Sequence, residues 1–196
     1  MRSGCWQTAV VSELTTERLL LRHWRPGDRG PFAEMNSDPD VMRYFPATLT
    51  RHASDELADR IGADVARRGW GLWALEERAT GRFIGFTGLE HADFEASFTP
   101  AVEIGWRLAR RTWGHGYATE AARAAAAFAF EHLQLAEIVS VTAEHNARSR
   151  AVMRRLGMRH DDAHDFDHPR VSDERLRRHV LYRLSAPDWA ASAPIR

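Results

Sequence analysis

Residues 101–120 read Ala-Val-Glu-Ile-Gly-Trp-Arg-Leu-Ala-Arg-Arg-Thr-Trp-Gly-His-Gly-Tyr-Ala-Thr-Glu and run into an alanine-rich stretch that reaches residue 131. Val102, Ile104, Trp106 and Leu108 alternate with Glu103, Gly105, Arg107 and Ala109, the period of a strand with one buried face. The strand ends near Ala109. From Ala118 the small and apolar positions move to Ala121, Ala122, Ala125, Phe128, Ala129 and Leu133, which is helical spacing built from the best helix former. A helix therefore begins near Gly116, and Arg111-Thr-Trp-Gly114-His-Gly116 joins it to the strand. The glycines let backbone approach a ligand closely, and the first N–H groups of a helix have no partner within it, so the junction is an anion site suited to phosphate. Arg110 and Arg111 are placed to add charge.

A Gly-x-Gly pair alone is more often a turn. The order strand, basic residue, paired glycines, helix makes this one a phosphate candidate. A P-loop needs Gly-Lys-Ser/Thr at the helix start, where this chain has Gly116-Tyr-Ala. A dinucleotide fingerprint needs a small residue where Thr119 stands, and it follows an early strand.

Arg111-x-x-Gly114-x-Gly116 resembles the Arg/Gln-x-x-Gly-x-Gly/Ala signature of the GNAT superfamily of acetyl-CoA-dependent N-acetyltransferases. Trp113-Gly-His-Gly-Tyr-Ala-Thr-Glu-Ala121 is similar to the branch containing the RimJ/RimL ribosomal-protein acetyltransferases. Thr16-Glu-Arg-Leu-Leu-Leu-Arg22 resembles that branch's first strand, Gly81-Arg-Phe-Ile-Gly85 its third, and Asn146-Ala-Arg-Ser149 through Leu156-Gly157-Met158 its later motif. The resemblance spans residues 15–185.

It implies an α/β (α+β) fold, a GNAT-like mixed, mostly antiparallel central sheet of six to seven strands flanked by helices. A splay between the central strand and the next admits the pantetheine arm of acetyl-CoA. Leu108 and Ala109 would be backbone partners of that arm. Arg111 with Trp113, Gly114, His115, Gly116, Tyr117 and Ala118 would form the diphosphate cradle, and Asn146 would contact pantetheine, cap a helix, or both. At most one of Arg148, Arg150, Arg154 and Arg155 is expected to meet the adenosine 3′-phosphate.

The implied reaction is attack of an amine on a thioester. The amine must be neutral, yet an α-amino group has a pKa of about 8 and lysine about 10.4, so a base helps. Glu103 stands where carboxylates serve as base in several GNAT enzymes; a solvated strand residue or ion-pair partner is the other reading. A backbone N–H near Ala109 would meet the developing oxyanion. The tyrosine that many relatives use as acid falls at Met153 here, which has no proton to give. Ser149 stands where the RimJ/RimL branch places a proposed acid; it also reads as a first-turn hydrogen-bonding residue, and a thiol of pKa about 8.5 can leave unaided.

Working outward, 196 residues fit one domain with an adequate core, bounded at 15–186 between an irregular lead-in (1–14) and an irregular tail (187–196). Lys+Arg 27 balance Asp+Glu 27, which leaves no global basic field for nucleic acid. One cysteine, Cys5, excludes an intramolecular disulfide and zinc spacing and fits a reducing, cytoplasmic setting. No apolar run marks a signal or a membrane span. No metal is expected, His160, His164 and His168 reading as loop beside Asp161, Asp162 and Pro169. A homodimer is allowed.

Leu19–Trp24 reads as a first strand stopped by Pro26-Gly27, and Asp28 as the cap of a short helix through Met35. Residues 36–51 read as a short helix plus loop. In the family this region covers the acceptor, so Tyr44 is a pocket candidate, with simple loop packing as the alternative. Residues 53–68 form an amphipathic helix ending at Gly69. Strands follow at 72–76 and 82–89, then a loop over 90–100. A further strand covers 138–143, Asn146 caps a helix through Leu156, residues 159–178 are charged loop, and 179–184 close the chain as a strand. Trp70, at a strand start, is a candidate for the acceptor pocket, though a strand tryptophan is more often core.

The function expected is direct acetyl transfer from acetyl-CoA, in a ternary complex, to a protein N-terminus or small amine. The alternatives are a catalytically silent acyl-CoA-binding module and a different nucleotide-phosphate binder.

Overall fold

The computed structural model describes residues 13–192. Cys5, most of the expected lead-in and the last four residues lie outside them. The strands are β1 (Leu14–Thr15), β2 (Leu19–Arg22), β3 (Leu72–Glu77), β4 (Arg82–His91), β5 (Val102–Leu108), β6 (Glu137–Ala143), β7 (Arg159–His160), β8 (Phe166–Asp167) and β9 (Arg178–Ser185). The helices are α1 (Arg29–Ser37), α2 (Arg51–Arg68), α3 (Tyr117–Glu131), α4 (Ala147–Arg155), α5 (Glu174–Arg177) and α6 (Ala186–Ser192). One sheet runs β1-β2-β3-β4-β5-β6-β9-β7, with β8 against β9. β1, β7 and β8 are two-residue edge pieces, so the body is the expected set of long strands, antiparallel except where β5 meets β6.

That exception makes the site. β5 and β6 are parallel because α3 carries the chain back between them, and their register holds at Glu103↔Val139 alone. Beyond it the strands diverge. Ala92 N–H bonds Ala101 O and Ala109 N–H bonds Ile84 O, 3.0 and 2.9 Å. This register turns the backbone groups of Glu103, Gly105 and Arg107 toward β4, and those of Ile104, Trp106 and Leu108 toward β6.

α3 covers one face of the sheet. Ala121, Ala122, Ala125, Ala126 and Ala129 are fully buried, and these short side chains let Phe128 reach Trp73 edge-on at 5.4 Å. α1 and α2 cover the other face, where Phe32 lies 4.8 Å from Trp24 and 6.0 Å from Phe86. α2 starts on Thr50, whose Oγ1 accepts Ala53 N–H at 3.2 Å, and stops at left-handed Gly69, φ 79°, as helix ends require.

Several local expectations are corrected. Asp28 precedes α1 but its side chain does not cap it: it is buried and takes both ends of the Arg22 fork at 2.8 and 2.9 Å, with Arg25 N–H at 2.7 Å. Residues 38–50 contain no helix; this connection is tied back by Leu49 N–H to Asn36 O, 2.9 Å. Residues 159–178 hold β7, β8 and α5 against β9, because Phe166 and His168 pack on Phe94, 5.8 and 4.6 Å away. The tail is helical through Ser192: Pro187 sits in the first turn of α6, where no N–H is needed, and Trp189 stacks on Phe130 at 5.8 Å.

Candidate active site

The anion cradle grows from the strand-to-helix junction. Gly114 and Gly116 have φ of 84° and 81°, open to glycine without strain, and a Cβ on Gly114 would meet nothing within 4 Å. Gly116 is the N-cap of α3 without a side-chain cap. The first helical bond runs from Glu120 N–H to Gly116 O, 3.1 Å. The N–H groups of Tyr117, Ala118 and Thr119 thus lack intrahelical acceptors and stand at the positive end of the helix dipole.

Arg18 braces this loop, a role with no sequence signal beyond the first-strand motif. Its Nη1 donates to His115 O at 3.0 Å, its guanidinium pairs with Glu120 at 2.6 Å, and it lies 4.8 Å from the centre of the Tyr117 ring. Tyr117 OH donates to Glu77 at 2.6 Å, and the exposed His115 ring stacks on Tyr117 at 5.5 Å. The arginines expected to add charge are engaged elsewhere: Arg110 pairs with Asp40 at 2.8 Å, and Arg111 donates to Phe83 O at 3.0 Å. Arg148 instead reaches the rim, 4.3 Å above Trp113. Arg150 is held by Glu144 O and Tyr182 OH.

In the gap between β5 and β6, Leu108 O accepts the Trp113 indole N–H at 2.9 Å, and Ile104 O accepts Ser140 Oγ at 2.9 Å. Ala109 does not fit its expected role. Its N–H donates to Ile84 O, and its carbonyl takes Thr112 N–H and Oγ1 at 2.9 and 2.7 Å. The backbone groups that face the gap belong to Trp106 and Leu108. Across the gap, Asn146 Oδ1 caps α4 by accepting Ser149 N–H at 3.2 Å, while its Nδ2 donates to Thr142 Oγ1 at 2.9 Å and Ser149 Oγ at 3.1 Å. Because Ser149 Oγ accepts that bond, its own hydrogen is free to donate.

On the α1/α2 side, the floor carries Glu103, Gly105 and Arg107 of β5 opposite Glu90, Gly88 and Phe86 of β4. Burial, and then the Glu90 carboxylate facing it, push Glu103 up to about 8, while a hydrogen bond from Val141 N–H draws it back down. Arg107 donates from Nη1 to Asn36 Oδ1 at 2.7 Å, with Phe45 stacked 4.0 Å away. A cavity of about 160 Å³ lies beside it, with Arg60, Asp64 and Arg68 of α2 and Glu90 on its wall. Tyr44 is half-buried in the 38–50 connection, and its neighbour Phe45 covers the floor. Trp70 is not among the cavity's lining residues; it packs edge-on against His91 at 5.6 Å, beside Arg68 at 5.7 Å.

Period-2 spacing could have flagged Arg107, which shares a face with Glu103 four residues back. Asn36 and Phe45 had no such signal. Among the described residues no group of three or more His, Cys, Asp or Glu is placed to hold a metal, and no helix is long and apolar enough to cross a membrane. His160 and His164 instead pair with Asp165 and Asp161, at 2.9 and 3.0 Å.

Residues 18–159 match a family model described as acetyltransferase (GNAT) domain. YkkB of Bacillus subtilis (strain 168) is 32% identical over 148 residues, covering 75% of this chain and 85% of its own length. The FsC-acetyl coenzyme A-N(2)-transacetylase of Aspergillus fumigatus is 33% identical over 167 residues, covering 80% of this chain and 68% of its own. Among solved structures, Mycobacterium smegmatis RimJ in complex with CoA-disulfide superposes with a TM-score of 0.72 over 94% of this chain and 96% of that one. At 19% identity, that likeness carries the fold. Family match, relatives and architecture agree: the chain belongs to the GNAT acetyltransferase family and is an N-acetyltransferase.

Proposed function

We propose that the chain moves the acetyl group of acetyl-CoA to a primary amine by direct attack in a ternary complex, the amine being a small molecule or a protein N-terminus. The observation that carries this reading is the two-sided use of β5. Its edge faces an open gap leading to an uncapped helix N-terminus, and its α1/α2 face presents Glu103 near a cavity. Acetyl-CoA supplies the thioester. Its diphosphate is held by the N–H groups of residues 114–119, with Arg148 near enough to add charge, and its arm lies along Trp106 and Leu108.

Glu103, raised to about 8, matches an amine of similar pKa and takes its proton directly or through water. The gap-facing N–H groups of Trp106 and Leu108 stand where a thioester oxygen accepts as it gains charge. Ser149, with its hydrogen free, donates to the departing sulfur and relays a proton to it, regaining its own from water. Motif kinship to the RimJ/RimL branch favours an N-terminal acceptor and a cytoplasmic setting, whereas the Aspergillus relative is an FsC-acetyl coenzyme A-N(2)-transacetylase.

The test is acetyl-CoA-dependent release of CoA across N-terminal peptides, lysine peptides, amino acids, polyamines and aminoglycosides, with acetyl-CoA binding measured alongside. Turnover confined to one class supports the reading. Tight binding without turnover on any of them favours a silent acyl-CoA-binding module.

A further inference from the structure

Arg107 is an unusual residue for the floor of this sheet. Phe45 and Phe86 lie 4.0 and 5.4 Å from its guanidinium, and Nη1 is held by Asn36, which is itself fully buried and donates to Ser54 Oγ at 2.9 Å. The Nε atom is buried with no hydrogen-bond partner. Among the described residues no carboxylate forms an ion pair with Arg107. The guanidinium is half-buried and its charge is met at a distance by Glu90, which shares the cavity wall with it; this leaves part of its desolvation uncompensated, and its planar fork matches a carboxylate through two parallel bonds. Asn36 engages one corner of the fork, Nε has no partner, and Arg107 is among the residues lining the cavity.

The floor is also polar along its length. Glu103 and Glu90 face each other across β5 and β4, and Arg107 lies four residues further along β5, a separation of about 13 Å at the rise of a strand. The negative end suits an ammonium group and the positive end an anion. On the cavity's α2 wall, Arg60 and Arg68 stand against Asp64, so that wall is net positive and adds to the pull on an anion.

Resting on the amine-acetylating role proposed above, we propose that the acceptor is an amine carrying a carboxylate, and that Arg107 recognises the carboxylate through its Nε/Nη2 edge while the amine is directed toward Glu103. This disfavours polyamines and aminoglycosides, which bring only cations to a half-buried arginine.

The experiment uses matched pairs: glycine, 4-aminobutyrate, 6-aminohexanoate and glycylglycine, each against its carboxamide. Binding is measured by calorimetry to the full chain saturated with CoA, which cannot transfer, and CoA release is measured with acetyl-CoA. At least one acid is expected to bind tenfold or more tightly than its amide. Arg107→Gln reduces that preference below threefold, and Arg107→Lys, which keeps charge without the fork, falls between. Unchanged acetyl-CoA affinity shows that both variants are folded; should Arg107→Gln not fold, the parent's acid-to-amide ratio and Arg107→Lys carry the test. Equal binding of acids and amides to the parent, or a preference that survives Arg107→Gln, overturns the carboxylate site. Release of CoA with amides as readily as with acids overturns the inference alone and leaves the N-acetyltransferase reading standing.

Discussion

In the proposed reaction Glu103 carries the proton transfer. It sits opposite Glu90, and Asp93 adds a third carboxylate to its surroundings, so ionising it is opposed by burial and by like charge. If Glu103 is the base, kcat/KM rises with pH toward a limb near 8. Glu103→Gln is expected to lower turnover about 10²-fold or more and remove that limb while acetyl-CoA binding stays unchanged; pH–rate profiles that overlay would end the assignment. The same shift has a stability sign. Between the ordinary value of 4.5 and about 8, the folded protein binds a proton at Glu103 that the unfolded chain has released, so this group makes stability fall as pH rises through that window. Urea denaturation at pH 5 and pH 8 should therefore show Glu103→Gln gaining on the parent as pH rises, and a constant difference would contradict the raised value.

At the scale of elements, the turn from β2 into α1 is held by charge as well as packing. Arg22 and Asp28 are 2% and 3% exposed, and Arg22 Nε also bonds Glu76 of β3 at 2.6 Å. Removing Asp28 takes the carboxylate from the Nη1/Nη2 side of the buried Arg22 fork while Glu76 stays on Nε, so Asp28→Ala is expected to cost about 1–3 kcal/mol in urea denaturation. A loss below 1 kcal/mol would show that water replaces the carboxylate. Asp28 also shows where sequence reading reached its limit. Its position before a helix suggested a cap of α1, but the Arg22 fork and the Arg25 N–H take its oxygens. Residues 159–178 misled in the same direction: their charges read as loop, and Phe94, delivered from a distant connection, gives them a surface to order on.

Across the whole molecule, the proposed function divides its two tasks between the faces of the sheet, with the glycine junction and α3 on one side and the floor under α1 and α2 on the other. A ligand bound only by the folded form stabilises it by mass action, about 2.7 kcal/mol at one hundred times its dissociation constant, so acetyl-CoA should raise Tm and slow unfolding. Gly116→Val places a branched residue at φ 81° and covers the cradle. The acetyl-CoA dissociation constant should rise at least tenfold and the ligand-dependent Tm shift should collapse, with circular dichroism confirming the fold; an undiminished shift would move the diphosphate elsewhere.

The long strands, the helix at Tyr117, the Gly114 and Gly116 loop and the Asn146 cap were legible because each is decided by neighbours within a few turns: period, capping chemistry and positive φ act over short stretches of chain. Arg18 on Glu120, Asn36 on Arg107 and Val141 on Glu103 join residues 102, 71 and 38 apart in the chain. Only packing chooses such partners, because many side chains could satisfy each donor and the fold brings just one within reach. Local sequence accounts for the order of the long strands and helices and for the glycine junction between β5 and α3. Which carboxylate is raised, which arginine is left with an open edge and which backbone groups face the gap were decided by tertiary structure, through burial and strand register.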